Sequence, residues 1–168
     1  MEAAGLEEIA GDIEAAERLL RSGYELLASL GEKGYLSTAA GQLARCMALL
    51  GRIEEAEELA GVSEDAAATD DVYSQIVWRQ ARALALARRG RSDEALALAQ
   101  DIVALAEPSD DCRLVSMACE DVAEVYRLAD RTGEAAAALE RAIDVWDRKA
   151  APFVADRLRA RLAELTAP

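Results

Sequence analysis

The chain has 168 residues, 52% hydrophobic and 30% charged, which suffices for one domain with a real core and excludes a disordered or collagen-like polymer. A net charge of −13 opposes binding to nucleic-acid phosphates and to anionic membrane surfaces. With no histidine in the sequence there is no Ser–His–Asp triad, no Cys–His pair and no imidazole metal site.

Aromatic residues make up only 4%, so the core must be built from Ala, Leu, Val and Ile. More than a fifth of the chain is alanine, the best helix former, and no segment alternates with the period of two that a strand requires. An all-helical fold is predicted. The N-terminal MEAAGLEEIAGD is acidic and lacks the basic start and apolar stretch of a signal peptide; it reads as the tail of a first helix. About eight helices follow, at roughly 12–30, 35–50, 52–67, 72–89, 92–106, 111–129, 132–149 and 152–166. Thr69, Asp70 and Asp71 can cap the fourth, and Ser109, Asp110 and Asp111 the sixth, while Pro108 stops the fifth and Ser92-x-Glu94 starts it. Gly61 to Asp71 is the most loop-like stretch, and 1–168 reads as a single repeat domain. No apolar run approaches the roughly 18 residues of a membrane helix. Three cysteines, an odd number without framework spacing, fit a reducing, cytoplasmic setting.

Residues 51–60 read GRIEEAEELA and residues 90–99 read GRSDEALALA. Aligned on the alanine after each turn, the repeat falls at Ala16, Ala56, Ala95 and Ala135, at intervals of 40, 39 and 40. Five residues before each stands a turn residue: Gly11, Gly51, Gly90 and Asp130, with Gly133 nearby to ease the last turn. Upstream, Ala44, Ala83, Ala123 and Ala163 share a second phase. The unit is helix, tight turn, helix, and these small residues mark where the two helices approach most closely. Leu19, Leu43, Leu59, Leu86, Leu98, Val122 and Leu139 are expected on the inner face. Leu158, Leu162 and Leu165 form an apolar face on the last helix, to be covered by a preceding helix or by a second copy.

This register resembles the tetratricopeptide repeat, with five or six residues added to that family's usual unit of 34; Trp78 lies one residue out of phase with the family's tryptophan, and its closing proline appears only as Pro108. The stretches GYLSTAAGQLARCMALLGRIEEAE, DDVYSQIVWRQARALALARRG and DVAEVYRLADRTGEAAAALERAI look like the C-terminal arrays of large actinobacterial signalling proteins. Those proteins join a class III nucleotide cyclase domain, an ATPase domain and helical repeats; no GxxxxGK[ST] loop occurs here. The resemblance implies a right-handed α-solenoid of helix–turn–helix repeats that acts as a protein-interaction scaffold or regulatory segment. The alternative is a homo-oligomerisation module, a homodimer formed through exposed terminal helices. By the tetratricopeptide register, a partner-binding concave face would carry Gln42, Arg45, Gln80, Arg88, Glu120, Glu124 and Arg127, which also read as ordinary solvated charges. One binding mode of that family clamps a terminal carboxylate with lysine and asparagine. This chain has two lysines, Lys33 and Lys149, and no asparagine, so that mode does not fit.

No catalytic constellation stands out, and neither an enzyme nor a cofactor is expected. The carboxylates of 54–58 read as a solvated helix face. Cys112 and Cys119, seven apart on one helix, lack the further soft ligands that zinc needs even with Cys46, and read as small buried residues. Trp78 and Trp146 read as packing residues. Arg157, Arg159 and Arg161, beside Arg148 and Lys149, form the one basic concentration, either favourable charge near helix ends or a patch for an acidic partner or for self-docking.

Overall fold

The computed structural model describes residues 2–32 and 34–167; Lys33 lies outside the described residues. Among these there is no strand, and nine helices follow one another: α1 (Glu2–Ala10), α2 (Ile13–Ser29), α3 (Leu36–Leu49), α4 (Ile53–Ala66), α5 (Val72–Arg88), α6 (Ser92–Ala106), α7 (Cys112–Leu128), α8 (Thr132–Arg148) and α9 (Pro152–Thr166). The ninth helix beyond the eight expected is α1, the segment read as a helix tail. The chain divides into two compact units, Met1–Ala85 and Leu86–Pro168. In the first, α1 packs on α2, α2 on α3 and α3 on α4; in the second, α6 packs on α7, α7 on α8 and α8 on α9. Such sequential packing of helical hairpins is the pattern of an α-solenoid, in which each pair covers an apolar face of its neighbour.

The recurring GR explains the turns. Gly11, Gly51 and Gly90 adopt φ of 88°, 79° and 74°, and Asp130 takes φ 58° at the equivalent place. At each, two amides reach back into the finished helix: Gly51 to the Ala48 carbonyl (3.2 Å) and Arg52 to the Met47 carbonyl (2.9 Å), and likewise Asp130 to Arg127 (3.1 Å) and Arg131 to Tyr126 (2.8 Å). This is the Schellman motif, which requires the left-handed conformation that glycine adopts without a Cβ penalty. Gly133 plays no part in the turn; it lies inside α8, and Asp130 itself carries the positive φ. The arginine that follows is at once the end of one helix and the N-cap of the next. Arg52 and Arg91 each place Nε 2.7 Å from the carboxylate three residues on, Glu55 and Glu94, and Arg131 grips Glu134 in the same way. A carboxylate in the first turn complements the helix dipole. α6 starts at Ser92 as expected, with Arg91 at its N-cap position. Aspartates cap elsewhere: Asp12 accepts the Ala15 amide (2.8 Å), Asp71 the Ser74 amide (3.1 Å) and Asp111 the Arg113 and Leu114 amides (2.9 and 3.2 Å).

Ala16, Ala56, Ala95 and Ala135 are all 0% exposed. Ala44, Ala83 and Ala123 are buried as well, but Ala163 is exposed on α9. Leu43, Leu86, Val122 and Leu139 are core residues, and Leu59 and Leu98 are half-buried. Leu19 departs from the expectation and faces solvent at 45%. Leu158 is buried and Leu162 and Leu165 half-buried, with α9 laid on the preceding α8. Each fully buried leucine contributes about 1.5–3 kcal/mol relative to exposure.

In the first unit, neighbouring helices come close to α3 at Gly41. A Cβ there would lie 2.7 Å from Ser63 Oγ of α4, and closer still to Val77 Cγ2 of α5. Ser63 is itself fixed, because its hydroxyl donates to the Ser37 carbonyl (2.7 Å). Gly41→Ala is expected to lower stability by about 1–2 kcal/mol, the overpacking cost exceeding the helix-propensity gain of at most about 1 kcal/mol. The double variant Gly41→Ala with Val77→Ala should lose less than the sum of the two single losses, as read from urea midpoints.

Candidate functional site

In the second unit α7 places Glu120, Glu124 and Arg127 along one face, at the spacing of successive helical turns. Across from it, α9 places Arg157 and Arg161 four residues apart. The two sets meet in register: Arg157 Nη2 lies 3.0 Å from Glu120 and Arg161 Nη2 lies 3.3 Å from Glu124. Arg127 approaches Glu124 at 2.8 Å from one turn further along α7, and Arg88, at the end of α5, reaches it at 3.8 Å. One carboxylate thus serves three guanidinium groups. The Glu124 side chain is only 13% exposed. Burial pushes its pKa up, but the hydrogen bond from Arg127 and the charges of Arg127, Arg161 and Arg88 outweigh that and hold it below the usual carboxylate range. Arg127, whose guanidinium shares that hydrogen bond, is held above its ordinary value. Glu120 is positioned in turn: Ser116 Oγ donates to it (3.1 Å) and accepts from Trp146 Nε1 of α8 (2.7 Å).

These groups border a pocket of about 260 Å³, lined by Ala123, Glu124, Arg127, Leu139, Arg161, Glu164 and Leu165. Its wall is aliphatic, from α7, α8 and α9, and its rim is charged. Arg127 remains 49% exposed and Arg161 37% exposed. On a chain whose total is −13, the pocket thus presents two part-exposed guanidinium groups, Arg127 and Arg161, beside Glu124 and Glu164. Such a site accommodates a side chain with an aliphatic stem and an anionic end.

Four of the seven residues expected at a partner-binding face, Arg88, Glu120, Glu124 and Arg127, therefore gather around this pocket or its flank. The other three do not lie on an open surface. Gln42 and Arg45 are 3% and 6% exposed and Gln80 is 0% exposed. For Gln42 and Arg45 the reason is that α3 is buried almost all round, so its polar residues tie neighbouring helices together. Gln42 Nε2 donates to the Tyr73 hydroxyl of α5 (2.6 Å), and Arg45 faces Glu8 of α1 at 3.3 Å. The basic concentration on α9 is engaged within the molecule: besides Arg157 and Arg161, Arg159 binds Asp147 (2.6 Å) and Asp156 (2.8 Å). Its matched spacing with Glu120 and Glu124 was the signal in the sequence for the pairing of α7 with α9.

Cys46 and Cys119 are buried, Cys112 is half-buried, and all three are thiols outside any disulfide. Desolvation pushes the Cys119 pKa up to about 11, so its thiol stays neutral and weakly nucleophilic. Among the described residues no three His, Cys, Asp or Glu side chains are placed to hold a metal ion. No helix of the described residues is long and apolar enough to cross a membrane.

No curated protein matches the sequence. Among solved structures, the chain is similar to a Podosopora anserina protein assigned to the kinesin light chains with nearly identical TPR-like repeats, at 18% identity and a TM-score of 0.49, over 99% of this chain and 95% of that one. Residues 73–148 match the tetratricopeptide repeat family, whose modules in general mediate protein–protein interaction; the match takes in α7 and α8, which supply two walls of the pocket.

Proposed function

We propose that the chain is a non-catalytic protein-interaction module, a regulatory segment of a larger bacterial cytoplasmic signalling protein, which holds an acidic, aliphatic-stemmed segment of a protein partner, or of its own parent chain, against α7 and α9. The observation that carries this reading is the shared carboxylate. Glu124 is shared by Arg127 and Arg161 and cannot satisfy all their donors at once, so an incoming carboxylate finds guanidinium groups already oriented. Leu139, Leu165 and Ala123 offer the aliphatic stem a dry wall. The scaffold and signalling part of the reading is supported by the family match over 73–148 and by the likeness of the repeat stretches to signalling-protein arrays.

The test is capture of glutamate-rich and lysine-rich peptides of equal length, read by fluorescence anisotropy. Binding of the acidic set should weaken about tenfold or more when Arg127 and Arg161 are both changed to glutamate, and should weaken as salt is raised. Equal affinity for both sets, or capture indifferent to the double reversal, would overturn the assignment.

A further inference from the structure

Helix α2 carries an apolar stripe that points away from its own unit. Leu19, Leu26 and Leu30 are 45%, 60% and 70% exposed, and their spacing of seven and four residues sets them on one narrow strip. Ala16 and Leu20, around the helix, are the residues that face the core. Midway along the stripe the surface dips at Ser22 and Gly23; a Cβ built on Gly23 would meet nothing within 4 Å. One flank of the stripe carries Arg18 and Glu25, again seven apart and both exposed. Neither has an ion-pair partner among the described residues, whereas Arg21 of the same helix is paired with Glu17 and Glu55.

We infer that α2 is a self-association surface, on which two copies of the chain pair through antiparallel α2 helices about a two-fold axis near Ser22 and Gly23. In that arrangement Leu19 of each copy packs on Leu26 of the other, and the small residues at the centre let the helices approach. Antiparallel helices bring the same flank of each copy together. Arg18 then faces Glu25 of the second copy, and Glu25 faces its Arg18, so both unpaired charges are matched twice over by one symmetry operation. A parallel pairing turns this flank toward the opposite flank of the second helix and matches neither charge. The charge pattern, more than the leucines, selects a second copy of this chain as the occupant.

Sedimentation velocity of the full chain over a wide concentration range tests this. The average mass should rise from one chain toward two as concentration increases. Leu26→Glu should hold it at one chain throughout; because Leu26 is solvent-exposed, helicity by circular dichroism should be unchanged. Arg18→Glu alone and Glu25→Arg alone should each weaken the dimer about tenfold, through two lost pairs and two new like-charge contacts. The combined Arg18→Glu/Glu25→Arg variant should return it to within about threefold of the parent. A single-chain mass at every concentration, a dimer indifferent to Leu26→Glu, or a combined variant no stronger than the single ones would each overturn the proposal.

Discussion

Replacing Ala135 by leucine is expected to lower the stability of the second unit by about 3 kcal/mol, while the same change at Ala163 should leave it within about 0.5 kcal/mol. Both alanines belong to the small-residue positions of the repeat, so composition and helix propensity are matched. Their surroundings differ. Ala135 is 0% exposed at the start of α8, where that helix packs on α7, and three added carbons have no space to enter without separating the two helices. Ala163 lies on the exposed side of α9. Ala95→Leu should behave like Ala135→Leu, since it occupies the same position one repeat earlier and is equally buried. Urea midpoints followed by circular dichroism make the comparison. Indistinguishable midpoints for Ala135→Leu and Ala163→Leu would refute the role of alanine as the contact point of the repeat.

That contrast shows where the sequence was readable. The turn residues announce themselves chemically: a glycine before an arginine, with a carboxylate three residues beyond, writes a helix end and a helix start in five letters. All the expected helix boundaries fall within two residues of those observed, because left-handed turn positions and aspartate caps are local features. Burial of Ala16, Ala56, Ala95 and Ala135 follows from the period alone. What a period cannot convey is how many neighbours a given copy has. Ala163 occupies a repeat position that is buried elsewhere and Leu19 one that is half-buried elsewhere, and both stand in solvent, because no described helix covers them. The polar residues show the same limit. Gln42 and Arg45 sit at positions a repeat register assigns to an open face, but α3 is enclosed so fully that they bond to Tyr73 and Glu8 instead. In the second unit Glu124 and Arg127 line the pocket, with Glu120 and Arg88 in ion pairs beside it. Glu120, Glu124 and Arg127 were legible as one helical face, while Arg161, Glu164 and Leu165 come from a helix thirty-odd residues away. Only packing brings those together.

Glu124 offers the sharpest separation of charge from shape. Glu124→Gln keeps the volume and one acceptor and removes the charge that three arginines share; it should cost about 1.5–3 kcal/mol at neutral pH, the range for hydrogen bonds to a charged group in partly buried surroundings. The pH dependence gives the sign. The carboxyl has a lower pKa in the folded chain than in the unfolded one, so its ionised form stabilises the fold fully above the ordinary carboxylate range. That contribution fades as pH falls through the folded value, where both states are protonated. Parent and Glu124→Gln stabilities should therefore differ by a constant amount at neutral pH and converge on acidification, with the parent showing the steeper loss. A difference that persists unchanged into acid would mean that the substitution acts through packing, and Glu124 would then not be the electrostatic centre of the pocket. The same variant bears on binding in the opposite direction. Without the internal carboxylate, Arg127 and Arg161 gain free donors, so acidic peptides should bind the Glu124→Gln variant more tightly even as its fold weakens. Stability and affinity moving in opposite senses is the signature of a carboxylate that occupies the ligand's place.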